Sequence, residues 1–289
     1  MDLGILIYNK MKDSTIAASF MRAAVHNPAK FGHSISMPKL NGLRCMFIPG
    51  RGFYSRDGKP WNYAVLKHII MPPNDIDYII DGELYCHGMS LQKINSAVGV
   101  NRIEPGPDAP WITFFAFDLV EPKFNALTRM LLLEKILNDN RRQTAGIDLV
   151  HWEICKTRIE LDRAYETYIN KGYEGQMIKS VFGSYMPQGA KERATMNLQK
   201  RKAFLDAEFS CVGRVISQEG KCAGKLGALK FVTPKGVAFE VGTGFTDEER
   251  EEFIREDFDF RRKATIKYLN LTDDGLPFNA SFVGWREDV

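Results

Sequence analysis

The sequence has few cysteines, and they form no recognisable pattern. Five occur in 289 residues, and no two of them make a C-x-x-C pair. An odd number at irregular spacing argues against a disulfide framework and against a zinc site, and it indicates a reducing compartment. The five histidines form no ligand pattern either. The cysteines are Cys45, Cys86, Cys155, Cys211 and Cys222.

Long apolar runs are also missing. No stretch approaches the roughly 20 apolar residues that a membrane-spanning helix needs. The short apolar run Leu3–Tyr8 follows an acid, Asp2, rather than the basic residues that open a signal peptide. This run therefore favours a buried strand or helix, and we expect a cytoplasmic protein with no membrane association.

There is little excess of one charge sign. The 39 lysines and arginines nearly balance 36 acids, which gives a net charge of +3. This value is too small to indicate a nucleic-acid-binding protein by itself, although local basic patches are compatible with one. Hydrophobic content of 44% and charged content of 26% are typical of a globular protein. The length suits a large domain together with a small one.

The first 205 residues alternate helix-like and strand-like segments. A helix is predicted over 13–31, where apolar residues recur at helical spacing before Asn27-Pro28 ends the pattern. Runs typical of strands follow, separated by turn signals. The predicted strands include Ser34–Met37, Leu43–Ile48, Gly52–Ser55, Tyr78–Leu84 and Ile112–Val120, and the further predicted helices are 63–70, 90–98, 127–140 and 158–171.

The pattern changes after about residue 205. Short strand-like runs alternate with glycine turns, and Thr246 with Glu249 three residues later forms a capping box for one helix. Five or so short strands around one helix are typical of a small barrel of the OB type. The sequence therefore predicts an α+β protein with domains at residues 1–205 and 206–289.

The run Lys39–Arg44, KLNGLR, carries the clearest chemistry. A lysine amine attacks phosphorus only when it is deprotonated, and burial or neighbouring positive charge favours that form. Gly42 lets the backbone approach a ligand closely, and the arginine can grip a ribose or a phosphate. A lysine near Asn-Gly is also typical of a simple turn. The run alone does not decide between these interpretations.

Five further segments support the chemical interpretation because they follow in order along the chain. Two predicted strands carry acids at Glu83 and beside Phe117. Lys200 and Lys202 alternate with an arginine, so in a strand both lysines would point to one face. The five segments are Ser55-Arg56, Asp81–Leu84, Phe117-Asp118, Glu174–Lys179 and Lys200–Lys202.

This series resembles the ATP-dependent DNA ligases of the covalent nucleotidyltransferase superfamily, most closely the compact bacteriophage type. The resemblance covers about residues 35–289, and Ser281–Arg286 looks like the last family motif at the end of an OB domain. It implies an adenylation (nucleotidyltransferase) domain with ATP-grasp-like antiparallel sheets and helices, followed by an OB-fold domain. It also implies ATP as the AMP donor, Mg²⁺ or another divalent cation, and nicked double-stranded DNA as the partner. We expect a monomer, in the host cytoplasm if the chain is phage-encoded, with no protein partner inferable.

The resemblance also assigns roles residue by residue. Lys39 would be the catalytic nucleophile that takes AMP from ATP. Glu174 would hold a divalent metal, with Glu83 as a weaker candidate, and Phe117 would stack on adenine. The other nucleotide-binding candidates are Met37, Arg44 on the ribose side, Arg56 at a phosphate of the nucleotide or of the nick, Glu83 at the ribose hydroxyls, Lys200 and Lys202 at the transferred phosphate, and Arg286 at the pyrophosphate.

Asn41 departs from the family pattern, which usually has Asp at this place. Asn keeps an acceptor oxygen and loses the charge, so we expect lysine adenylation to survive and nick sealing to be slower or tuned differently. Three alternatives stay open. An RNA ligase tolerates a residue other than Asp here, a capping guanylyltransferase would prefer GTP, and a non-catalytic nucleic-acid-binding relative would not need Lys39, Glu83 and Glu174 together.

Overall fold

A computed structural model divides the chain into two units, Met1–Lys202 and Ala203–Val289. None of the helices in the described part of the chain has the length and apolar character needed to span a bilayer. The residues that the structure describes are 16–30, 32–71, 78–187, 195–272 and 274–286.

The first unit contains ten strands and three α-helices within its described residues. The helices are α1 Leu91–Val98, α2 Ala126–Asp139 and α3 Arg158–Asn170. The strands are β1 Ala23–Val25, β2 Ser34–Lys39, β3 Leu43–Ile48, β4 Gly52–Ser55, β5 Ile80–Tyr85, β6 Thr113–Leu119, β7 Ile147–Leu149, β8 Glu153–Cys155, β9 Gly175–Ser180 and β10 Thr195–Lys202.

These strands form two five-stranded sheets. One has the order β1-β10-β9-β2-β8 and the other the order β4-β3-β5-β6-β7. Neighbouring strands are antiparallel except β1 beside β10 and β6 beside β7. Side chains of β3 alternate between two apolar clusters, with Cys45 and Phe47 in one and Met46 and Ile48 in the other. Both faces of β3 are therefore buried from Cys45 to Ile48, which explains the continuous apolar sequence of that part of the strand.

The largest apolar cluster joins the two sheets. Met37 of β2 is buried in it together with Leu84 of β5 and Phe114 of β6. A smaller cluster beneath α3 contains Leu161 and Ile178 and covers the other face of the first sheet. Since side chains alternate along a strand, Lys39 at the end of β2 lies on the same face as Met37, toward the second sheet.

The second unit is an antiparallel sheet with one short helix. The sequence-predicted capping box is confirmed, because the Thr246 hydroxyl accepts from the Glu249 N–H and the Glu249 carboxylate accepts from the Thr246 N–H. The elements are β11 Leu205–Ile216, β12 Leu226–Val232, β13 Ala238–Val241, α4 Asp247–Glu252, β14 Lys263–Tyr268, β15 Asn270–Leu271, β16 Pro277–Phe278 and β17 Ser281–Trp285. The main sheet has the order β13-β12-β11-β14-β17.

Most predicted elements are confirmed. The helices predicted over 90–98, 127–140 and 158–171 match α1, α2 and α3 to within one residue at each end. The predicted α+β class is confirmed, with mixed sheets and few helices. Residues 63–68 form turns, and Ile70 forms an isolated β-bridge with Ala145, in place of the predicted helix.

The helix predicted over 13–31 is wrong within the described residues 16–30. This segment contains two 3₁₀ turns, Ala17–Ser19 and Pro28–Lys30, with β1 between them. Pairing of β1 with β10 and burial of its neighbouring apolar residues between other elements outweigh the local helical preference.

Candidate active site

Three adjacent strands of the first sheet bring Lys39, Glu174 and Lys202 together. Gly175 at the start of β9 pairs with Lys39 of β2 on one side and with Lys202 of β10 on the other. Glu174 immediately precedes Gly175, so its carboxylate lies between the two lysines. Its Oε2 is 2.5 Å from Lys39 Nζ, and its Oε1 is 2.7 Å from Lys202 Nζ.

Gly175 and the backbone fix this arrangement. A Cβ on Gly175 would lie 2.1 Å from the carbonyl oxygen of Arg201, so this place in the sheet requires glycine. The Glu174 N–H also donates to the Lys39 carbonyl over 3.2 Å. The carboxylate is thus placed by main-chain contacts as well as by its ion pairs.

The alternation of β10 directs its lysines toward the site. Arg201 faces α3, where its Nη1 lies 2.5 Å from Asp162 Oδ1 and its guanidinium stacks 3.8 Å from the ring of Tyr165. Lys200 and Lys202 therefore share the opposite face, which is the face of Lys39.

The charges at the site are strongly coupled. Burial raises the pKa of the Glu174 carboxyl, but Lys39 and Lys202 outweigh burial and hold that pKa below its ordinary value. Burial, followed by the charges of Lys202 and Lys39, lowers the pKa of Lys200. The amines of Lys39, Lys200 and Lys202 thus lie near the Glu174 carboxylate, whose two oxygens are already in ion pairs. An anion placed among them would relieve their mutual repulsion, so the cluster favours a bound phosphate.

Glu83, on β5 of the second sheet, lies near the amine of Lys39. Its Oε1 accepts from the Gly42 N–H over 3.0 Å. A Cβ on Gly42 would lie 2.3 Å from the Leu84 carbonyl oxygen, so only glycine allows this approach. Burial raises the pKa of Glu83, although Lys39 and the Gly42 amide oppose that rise.

Phe117 stands at an irregularity in the second sheet. Asp81 pairs with Asp118 while Gly82 pairs with Ala116, so Phe117 is the extra residue of a β-bulge. Bulges redirect a side chain and are common beside active sites. The half-exposed ring of Phe117 lies 5.5 Å from the guanidinium of Arg44.

Arg44 is held by an acid of the neighbouring strand. Its Nε and Nη2 donate to the two carboxylate oxygens of Asp81 over 3.1 and 2.6 Å, and its Nη1 donates to the Met21 carbonyl over 2.6 Å. The Tyr185 hydroxyl donates to the same carboxylate over 2.8 Å. Most N–H donors of Arg44 are therefore occupied by protein acceptors, which hold its guanidinium in place beside Phe117.

A buried ionic network beneath Phe117 was not foreseen from the sequence. Asp118 lies 2.7 Å from Arg129 Nε and 2.9 Å from Lys179 Nζ, and all three side chains are almost fully buried. Lys179 Nζ also donates to the Phe117 carbonyl. Burial alone would raise the pKa of Asp118, but the two cations outweigh it and lower that pKa. Asp118 and Lys179 lie in noted motifs, whereas Arg129 carries no signal within its helical pattern.

None of the ion pairs described so far involves the remaining predicted residues. Met37 is buried in the apolar core, at 2% exposure. Arg56 follows β4 in an exposed turn beside Asp57. Arg286 belongs to the second unit, where its Nε lies 2.9 Å from Glu208 Oε1. Asn41 is half-buried between β2 and β3.

The acidic side chains suit a hard cation only together with a substrate. No group of three or more His, Cys, Asp or Glu side chains that could hold a metal occurs among the described residues. Mg²⁺ usually takes one or two carboxylates and completes its shell with phosphates and water. Glu174 and Glu83 provide oxygen donors of this kind, and each interacts electrostatically with Lys39.

Two family models match this chain. The family model described as "ATP dependent DNA ligase domain" matches residues 19–209, and the one described as "DNA ligase OB-like domain" matches residues 219–286. These matches confirm the predicted combination of a nucleotidyltransferase domain with an OB-fold domain. A DNA ligase of African swine fever virus is 26% identical over 230 residues, which cover 74% of this chain and 52% of the viral protein. The chain thus spans about half the length of the curated relatives it matches.

Solved structures share the fold. A structure from a study of DNA binding by the minimal Lig E DNA ligases has a TM-score of 0.75 and 23% identity, and the match covers 92% of this chain and 98% of that one. The Chlorella virus DNA ligase-adenylate has a TM-score of 0.50 and 21% identity, with 92% of this chain and 97% of that one covered.

Proposed function

Because the chain belongs to the ATP-dependent DNA ligase family, we propose that it seals nicks in duplex DNA, joining a 3′ hydroxyl to a 5′ phosphate at the expense of ATP. The observation that carries this proposal is the cluster of Lys39, Lys200 and Lys202 around Glu174. Phosphoryl transfer depends mainly on positioning and on charge neutralisation, and this cluster can supply both.

The first step is the transfer of AMP to Lys39. The deprotonated Nζ attacks the α-phosphorus of ATP, an N–P bond forms, and the P–O bond to pyrophosphate breaks. Glu174 holds the amine at the end of β2, and Lys200 and Lys202 face the same space, where they neutralise phosphate charge. The AMP then passes to the 5′ phosphate of the nick, and the 3′ hydroxyl displaces it to close the strand.

The nucleotide would be held between the two sheets of the first unit. Phe117 would stack on adenine, since its ring is half-exposed on the bulge. Glu83 would bind the ribose hydroxyls, because it lies near Lys39 with one oxygen on the Gly42 amide. Arg44 would line the ribose side of the site, whereas Met37, at 2% exposure, would act only by packing beneath it.

Two arginines are assigned to phosphates. Arg56 is exposed, and its ionic neighbour among the described residues is Asp57 at 4.0 Å, so it is available for a phosphate of the nucleotide or of the nick. Arg286 would orient the pyrophosphate of ATP. The ion pair with Glu208 holds Arg286 weakly, because more than half of the arginine side chain is exposed to solvent.

A divalent cation, Mg²⁺ or a similar ion, fits the donor set. Glu174 would hold it, with Glu83 as the second candidate. When bound, it would supply charge neutralisation at the reacting phosphate. Carboxylate oxygens suit Mg²⁺ and other hard divalent cations alike.

The partner would be nicked double-stranded DNA, bound by a monomer. The adenylation domain would be residues 1–205 and the OB-fold domain residues 206–289, close to the division of the chain after Lys202. Basic side chains would neutralise backbone phosphates, so DNA affinity should fall with rising salt.

One labelling experiment tests the function. The protein is incubated with ATP, GTP or NAD carrying a label in the transferred nucleotide, and is then chased with nicked DNA or nicked RNA. Label from ATP should appear on the protein and then move onto nicked DNA. Label taken from GTP would favour a capping guanylyltransferase, and transfer only to RNA would favour an RNA ligase. No covalent label from any nucleotide would refute the proposal.

A further inference from the structure

A pair of polar rings stands beside the carboxylates of the site. Tyr85 is the last residue of β5, two positions after Glu83, and its hydroxyl lies 2.8 Å from Nδ1 of His87. Burial raises the pKa of Tyr85, so its hydroxyl keeps its proton and forms a hydrogen bond with that nitrogen. His87 is exposed to solvent, and within the described residues it does not contact Lys39.

His87 packs on the loop that carries Glu174. Its ring centroid is 4.7 Å from that of Tyr173, with 52° between the ring planes. Gly172, at φ +83°, turns the chain after α3, and a Cβ there would stand 3.9 Å from His87 Nε2. Glu174 follows Tyr173 directly. The histidine therefore links the end of β5 to the start of β9.

The contacts of His87 thus link the strand that carries Glu83 to the segment that carries Glu174. Glu83 belongs to the second sheet, and Glu174 precedes a strand of the first. The Glu174 N–H donates to the Lys39 carbonyl over 3.2 Å, and the N–H groups of Gly172 and Tyr173 donate to carbonyls of α3. These bonds tie the segment 172–174 to β2 and α3, and the ring contact between His87 and Tyr173 adds a tie to the end of β5.

We infer that His87 is a positioning residue, which fixes the segment 172–174 against the end of β5 and so holds Glu174 opposite Lys39. The inference rests on the proposed function for its effect on AMP transfer, although the structural link stands on the contacts alone. His87 acts through its contact with Tyr173 rather than on Lys39 or Glu174 directly.

Two measurements test the inference in the full-length protein. The first is hydrogen exchange of the Glu174 amide, whose protection should fall about tenfold in His87→Ala, because one ring contact and one hydrogen bond are lost. The second is single-turnover formation of protein-AMP at varied Mg²⁺. Its half-saturating Mg²⁺ concentration should rise about five- to tenfold, with a smaller change in the rate at saturation.

Two further variants separate the contacts. Tyr85→Phe removes the hydrogen bond and keeps both rings, so it should shift both readouts in the same direction by about two- to fivefold. It serves as the deciding variant if His87→Ala does not fold. His87→Phe keeps a ring on Tyr173, and adding Tyr85→Phe to it should change nothing more.

His151→Ala is the matched control. His151 is exposed, and its ring lies 6.3 Å from that of Tyr168 on α3, whose ring lies 6.3 Å from that of Tyr173, so His151 is one ring removed from the segment 172–174 and gives it no tie to β5. This variant should behave as the wild type. Unchanged Glu174 exchange in both His87→Ala and Tyr85→Phe, or an equal change in His151→Ala, would overturn the inference. If the wild type forms no protein-AMP, the proposed function fails, and the exchange measurement still decides the positioning role.

Discussion

The carboxylate of Glu174 lies 2.5 Å from the amine of Lys39, at the meeting point of adjacent strands. The contact joins residues 135 positions apart in the chain. It arises because Gly175 pairs with Lys39, and the residue before that glycine must then stand beside the end of β2. The pairing register of β2 with β9 therefore positions Lys39, the proposed nucleophile.

Glu174→Gln should lower both stability and AMP transfer. The variant leaves two lysine amines without a charged partner, which should cost about 1–3 kcal/mol of unfolding free energy at neutral pH. The pKa of Glu174 is lowered in the folded state. Its stabilising effect is therefore present above the unfolded pKa of about 4.3 and is lost as the pH falls through the lower folded value.

Urea denaturation of the wild type and Glu174→Gln at several pH values measures this effect. The difference between them should shrink on acidification. Glu240→Gln, on an exposed pair with Lys230, is the control and should stay within about 0.5 kcal/mol of the wild type. A difference that grows toward acid pH would contradict the assignment.

Asp118→Asn should destabilise the first unit severely. Removing the charge leaves Arg129 and Lys179 buried without their common partner, at an expected cost of about 3–5 kcal/mol. Chemical denaturation measures the loss. Asp57→Asn, at a side chain that is 76% exposed, should change stability by less than about 0.5 kcal/mol. Equal effects in the two variants would show that the buried network adds nothing.

Gly42→Ala should disturb the site through the backbone. The new Cβ would press on the Leu84 carbonyl oxygen and on the Glu83 side chain, at 2.3 and 2.9 Å. We expect a loss of about 1–3 kcal/mol in stability and slower AMP transfer. Gly32→Ala introduces the same methyl group where no atom lies within 4 Å, and it should be neutral. Normal AMP transfer in Gly42→Ala would refute the tight approach of Glu83 to the Lys39 loop.

Asn41→Asp should leave AMP transfer to Lys39 intact and should not reduce nick sealing. The change restores a carboxylate where the amide already offers an acceptor oxygen. Single-turnover rates of the two steps, measured on the same preparation, separate them, and the first step acts as the internal control. A large loss of sealing would show that Asn41 is a required residue rather than a tolerated substitute.

The sequence predicted the elements of this fold better than their pairing. Helices α1 to α3 follow from apolar spacing and caps, which are local. The segment before β2 was assigned to a helix because Ile16 and Phe20 recur at helical spacing. These residues are instead buried in a core cluster with residues of β3 and β10, and the strand that follows them pairs with β10 more than 170 positions away. Local propensity carries no information about such contacts.

The site shows the same division. Motif order brought Lys39, Glu83, Glu174 and Lys202 into one hypothesis, and the structure places the first, third and last within ion-pair distance. The partners of Arg44 and Phe117 were not predicted. They depend on a bulge and on buried charges contributed by separate elements, and residue types alone do not reveal either feature.

The central step of the proposed reaction is the transfer of AMP to Lys39. Lys39→Arg keeps a cation beside Glu174 but cannot be deprotonated to attack phosphorus. Lys135→Arg, on an exposed face of α2, is the matched control. After incubation with labelled ATP, the account predicts covalent AMP on the wild type and on Lys135→Arg, in the peptide that contains residue 39, and none on Lys39→Arg. Covalent AMP retained by Lys39→Arg would contradict it.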